Sequence, residues 1–137
     1  MTVNAEGNGT GSTSLRLSGI APGSTGLSLS LPSPAQPIAP EDGAHVGAGT
    51  TMSWHPLEHA VHVLMLSGGP GEPAFQLVTG AASVQLPELP SGSTYHWFVA
   101  AFGPSDGIDA FTGGAKFFPV LGDSFQTVSA TRSFAVR

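Results

Sequence analysis

Apolar residues recur at every second position in short runs along most of this chain, the period of a strand whose two faces differ. Leu15 and Leu17 share one face of SLRLSGI (14–20), and Leu27, Leu29 and Leu31 share one face of GLSLSLP (26–32). Both segments read as half-buried strands, joined by APGST into an N-terminal hairpin. Ahead of them, the first dozen residues are rich in Gly, Asn, Ser and Thr and read as a flexible leader. Prolines then crowd the stretch from Pro32 to Pro40, which suits a linker or an edge strand and neither a helix nor a central strand.

Beyond Ile38 the runs tighten. TTMSW (50–54), AVHVLML (60–66), FQLV (75–78), SVQL (83–86), YHWFVAAF (95–102) and TVSATRSFAV (127–136) read as six strands separated by turn-forming segments. Strands of this length and spacing predict an all-β fold, a β-sandwich of two antiparallel sheets. The division expected is an extension over 1–34 and the sandwich over 35–137.

Composition agrees with strands and turns. The chain has 137 residues with 19 glycines, 12 prolines and 9% charged residues, against about 25% charged in a typical domain. It has no cysteine, which excludes disulfides, thiolate metal sites and cysteine nucleophiles. The formal net charge is -5 and the four basic residues are scattered, so no cationic stripe awaits nucleic acid. No apolar run is long enough for a membrane-spanning helix. MTVNAEGNGT does not read as a signal peptide. Low charge and a single lysine are nevertheless common in exported proteins, and an extracellular or cell-surface location is the expectation.

One arrangement of residues resembles a known family. Pro40-Glu41-Asp42-Gly43 precedes a strand ending in Trp54; Ala60 opens the next strand; and Leu89-Pro90-Ser91-Gly92-Ser93-Thr94-Tyr95 leads into the strongest strand. This resembles the fibronectin type III family, within the immunoglobulin-like β-sandwiches, in its bacterial surface and secreted versions. The closing SFAV resembles the family's last strand, and the likeness runs from Pro37 to Arg137. About two dozen residues before the last strand exceed the family's usual hairpin. The resemblance implies a core Trp54 and a tyrosine corner at Tyr95, whose hydroxyl ties back to upstream backbone. It also makes strands 60–66 and 95–102 neighbours, and the core expected is Trp54, Val63, Met65, Tyr95, Trp97, Val99 and Phe134.

Candidate sites follow from that frame. With Tyr95 inward, His96, Phe98 and Phe102 point outward; with Val61, Val63 and Met65 inward, so do His62, Leu64 and Leu66. An interaction patch of His62, Leu64, Leu66, His96, Phe98 and Phe102 is the result, either covered by the N-terminal hairpin or presented to another module or subunit. His62 and His96, side by side there, are weak metal candidates, since zinc or copper wants three or four ligands. His55 and His59, with Glu58, flank the turn after the second strand. The loop 103–126 brings Asp106 and Asp109 to the same end, making His55, His59, Asp106 and Asp109 binding candidates. Asp-Gly-Ile-Asp lacks the alternating oxygens of an EF-hand. Asn8-Gly9-Thr10 matches a glycosylation acceptor.

Nothing supports catalysis. Gly122-Asp123-Ser124 only brushes a hydrolase motif of α/β folds, no G-x-S-x-G occurs, and no fold-level reason pairs the carboxylates. The expectation is a non-catalytic extracellular module without cofactor, serving as spacer, adhesion or protein-interaction element. Its partners would be neighbouring modules or its own copies, with no nucleic acid and no membrane span. Two alternatives stand beside it. One is a self-assembling structural subunit, strand-exchanged into a filament or surface layer. The other is a carbohydrate-binding module, which needs exposed Trp or Tyr.

Overall fold

Eleven strands follow one another in the computed structural model, which describes residues 1–7, 11–105, 107 and 123–137. They are β1 (Thr2–Gly7), β2 (Gly11–Arg16), β3 (Gln36–Ala39), β4 (Ala44–Val46), β5 (Thr51–His55) and β6 (Val61–Ser67). The remainder are β7 (Ala74–Thr79), β8 (Ser83–Gln85), β9 (Thr94–Gly103), β10 (Ser124–Ser129) and β11 (Arg132–Val136). They form two open sheets, one of eight strands and one of three in the order β3-β5-β8.

β9 organises the large sheet. One of its edges pairs with β6, which pairs in turn with β7. The other edge pairs with β10 and then with β11, which lie end to end along it. Every pairing is antiparallel except one, β4 beside β11. The Pro-rich stretch is therefore an edge strand: β3 carries Pro37 at the margin of the small sheet, where a missing N–H costs least. The chain then leaves that sheet and joins the large one as β4. The crossing is pinned by Arg132, which donates to the Ile38 carbonyl at 3.0 Å, and by Asp42, whose Oδ1 accepts from the Ser133 N–H at 2.7 Å and hydroxyl at 3.0 Å. These bonds, the Ser133 N–H first, hold the Asp42 carboxyl below its usual value.

One apolar core lies between the sheets. Met52 and Trp54 enter from β5, Leu64 and Leu66 from β6, Tyr95, Trp97 and Val99 from β9, and Phe134 and Val136 from β11. The Tyr95 and Phe134 rings stack with centroids 5.8 Å apart. Expected members Trp54, Tyr95, Trp97, Val99 and Phe134 are present.

Val63 and Met65 are not, and the expected facing of β6 is reversed. Leu64 sits opposite Val99 and Leu66 opposite Trp97, and directly opposed residues share a face. Val63 and Met65, opposite Ala100 and Phe98, lie on the other side, where Val63, Ala100 and Phe102 form a second cluster with Val78 and Val128. β6 is apolar on both faces, so its period identified a strand without saying which face looks inward.

The N-terminal strands also differ from expectation. The first residues form β1 rather than a free leader, and the hairpin is β1 with β2. β2 then pairs along the outer edge of β10, from Ser129 opposite Gly11 to Ser124 opposite Arg16. Residues 26–32 form no strand despite their alternation.

Thr127, fully buried on β10, has a hydroxyl with no hydrogen-bond partner. Replacing an unsatisfied buried hydroxyl by a methyl of the same shape removes a desolvation cost of about 1–3 kcal/mol. Thr127→Val is expected to raise the urea midpoint by an amount equivalent to about 1 kcal/mol, with an unchanged slope.

Candidate functional site

Three places on the two-sheet frame carry chemistry that strands and turns alone do not demand. The first is the end where β5 turns into β6. His62, the second residue of β6, has its ring 6.2 Å from the Trp54 ring and is almost fully buried. Its Nε2 accepts the Leu57 N–H at 3.0 Å. The proton therefore resides on Nδ1, a buried atom without a partner. Burial lowers the His62 pKa from the ordinary histidine value. His62 is thus a neutral clamp on the turn. His59 holds that turn with a left-handed φ of 52°, and its carbonyl accepts the Ser105 N–H at 2.7 Å.

A consequence is testable. Protonating Nε2 destroys its acceptor, and the unfolded chain binds this proton more readily than the folded one. Stability from His62 is therefore complete above the unfolded pKa near 6.5 and is lost as pH falls below it toward the lowered folded value. His62→Gln is expected to flatten the fall in thermal midpoint between pH 7 and 5; an equally steep fall in the variant would contradict the clamp.

A recess of ≈ 510 Å³ at this end is lined by Glu58, His59, His62 and Ser105 among others. His55, Glu58 and His59 are exposed. Asp106 and Asp109 lie outside the described residues, as does Asn8-Gly9-Thr10. Among the described residues no three His, Asp or Glu side chains group as metal ligands. His62 and His96 are not side by side: His62 sits opposite Ala101 and His96 opposite Ser67, at the two ends of the β6–β9 pair. His62 faces the core, whereas His96 is exposed.

The same register divides the expected patch. Leu64 and Leu66 face the inter-sheet core with His62, and Phe98 and Phe102 share the opposite face with His96. Phe102 is buried and Phe98 half-buried. No single surface holds all six residues.

The second place is the β6–β7 turn. The Tyr95 hydroxyl donates to Glu72 at 3.1 Å, and the Ser93 hydroxyl to the same carboxylate at 2.6 Å. The expected tie from Tyr95 to upstream backbone is thus replaced by a carboxylate on the neighbouring turn. Burial, then the Glu72 bond, raises the Tyr95 pKa. Gly68 is required beside it, because a Cβ there would stand 2.9 Å from the Tyr95 ring.

The third place was missed by sequence reasoning. Among the described residues the small sheet ends at β8 and the large sheet at β7. Phe75 and Leu77, opposite Leu66 and Leu64, share the inward face of those two leucines. Each remains 38% exposed. With Leu64, Leu66, Val84 and Leu86 they line an apolar groove of ≈ 330 Å³ between two edge strands. The period-two spacing of Phe75 and Leu77 was visible; what revealed the groove is their meeting with Val84 and Leu86 beside β8.

Comparisons with models of known protein families, with curated proteins and with solved structures return no match.

Proposed function

We propose that the chain is a fibronectin type III-like β-sandwich module of a secreted or surface protein, working by binding or spacing rather than by catalysis. The observation that carries this reading is the strand arrangement. β3, β5 and β8 form one sheet, β7, β6, β9 and the β10–β11 edge the other, with a core tryptophan entering from β5. That division into two mostly antiparallel sheets around a buried tryptophan resembles the immunoglobulin-like sandwich and supports the reading. The β1–β2 hairpin and the parallel β4–β11 pair are additions to it. Low charge and the long connection after β9 support a module that presents loops from a rigid frame. Folds of this architecture serve many ends, so the function rests on the surface rather than on topology.

Antibodies against the chain are expected to label intact cells of its source or to detect it in the medium. Signal only after lysis would contradict the extracellular reading. A second reading, self-assembly, is favoured by the apolar groove between β7 and β8. Carbohydrate stacking is not favoured: Trp54, Trp97 and Tyr95, the chain's only Trp and Tyr residues, are all buried at 1% exposure or less.

A further inference from the structure

The groove between β7 and β8 has the form of a sheet missing its next strand. Among the described residues β8 pairs with β5 alone, so its other edge carries unpaired backbone groups. Val84, opposite the buried Met52, points inward, so a strand laid along β8 would alternate between the groove and solvent. Its inward side chains would meet Phe75 and Leu77. The occupant must therefore be apolar at every second residue, small and polar between, and free to pair its backbone.

This chain contains such a segment. In GLSLSLP (26–32), Leu27, Leu29 and Leu31 alternate with Ser28 and Ser30. Residues 21–30 are all exposed, Leu27 at 50% and Leu29 at 36%. Residues 25–31 make no hydrogen bond with any described residue. Charge points the same way. The chain carries a formal -5, so two copies repel where charges face each other. Yet no charged residue occurs between Arg16 and Glu41, and none lines the groove. The segment and the groove are surfaces on which two copies meet without opposing like charges.

In the structure the segment lies away from its own groove, whose lining includes none of residues 26–32. The Pro32 carbonyl accepts the Thr13 hydroxyl at 2.8 Å, tying the segment's end to β2. β2 lies four strand positions from β7 across β10, β9 and β6, roughly 19 Å at about 4.8 Å per strand. The Ser18 N–H and hydroxyl are bound to Asp123 at 2.8 and 3.1 Å, beside β10, fixing the approach from the other end.

We propose that residues 26–32 of one copy add as a strand to β8 of a second copy, seating Leu27, Leu29 and Leu31 in the groove beside Phe75 and Leu77. This is β-strand addition: backbone bonds hold the segment and alternate side chains select it. A seven-residue strand makes a small interface, of the kind below about 1,200 Å² that is weak and reversible. Assembly is therefore concentration-dependent. Reciprocal exchange closes a dimer, and one-way exchange leaves an open chain of copies. The pairing holds whether or not the module is also a spacer.

Light-scattering mass of the full chain across a concentration series is expected to rise above the 13.8 kDa of one copy. Leu27→Asp with Leu29→Asp, at exposed positions that leave the fold intact by circular dichroism, is expected to hold it at one copy throughout. Leu77→Asp is expected to do the same from the groove side. The chain has no cysteine, so mixing a Leu29→Cys chain with a Leu77→Cys chain under oxidising conditions should give a covalent heterodimer. A wild-type chain that stays monomeric at every concentration overturns the proposal. So does an assembly that persists in the double Asp variant.

Discussion

Trp54→Ala is expected to lower unfolding stability by about 3–5 kcal/mol, the range for truncating a large buried aromatic. The indole is 1% exposed and joins Met52 of its own strand to the β6 and β9 side chains of the facing sheet. Removing it leaves a void between two sheets whose backbones are each held by their own ladders, so little collapse can refill it. The His62 ring beside it would also lose its cover. Trp54→Phe keeps part of the contact and should cost less than half as much. Urea unfolding followed by circular dichroism gives both values, and a loss below about 1 kcal/mol for Trp54→Ala would remove Trp54 from the core.

Gly11→Val is expected to produce the second large effect, by prising the N-terminal hairpin off the sheet. Gly11 has a φ of 102°, which side chains rarely adopt, and its Cβ would collide with the Val128 carbonyl and lie 2.9 Å from Ser129 backbone atoms. Neither obstacle is a side chain able to swing aside. The backbone conformation alone costs about 1–2 kcal/mol, and overpacking adds about 1–3 kcal/mol. Hydrogen exchange should show loss of protection in residues 12–16 and 124–129. Unchanged protection there would mean that β2 does not depend on this close approach.

The central strands were legible because each pairs a period of two with turn residues at its ends. β5, β6, β7, β8 and β9 lie within a few residues of TTMSW, AVHVLML, FQLV, SVQL and YHWFVAAF. Three features were not legible, each for a physical reason. β4 is three residues long and is held by a parallel partner ninety residues away, so Ala44–Val46 carries no pattern of its own. β6 is apolar on both faces, and only its register against Val99 and Trp97 decides that Leu64 and Leu66 look inward.

The N-terminal region reverses the sequence argument. Leu27, Leu29 and Leu31 alternate without a strand, whereas the Gly- and Ser-rich β2 pairs because β10 offers it an edge. Pairing depends on available edges as much as on pattern. The candidate site was legible only in parts: the sequence marked Phe75 and Leu77 as one face of a strand, but not the groove they line with Val84 and Leu86.

Nuclear Overhauser contacts in the full chain report the facing of β6, which decides both the core and the groove. Leu66 methyl contacts to the Trp97 indole and Leu64 methyl contacts to Val99 are expected, with none from Val63 to either tryptophan. Contacts from Val63 or Met65 to Trp54, with Leu64 and Leu66 silent, would contradict that facing.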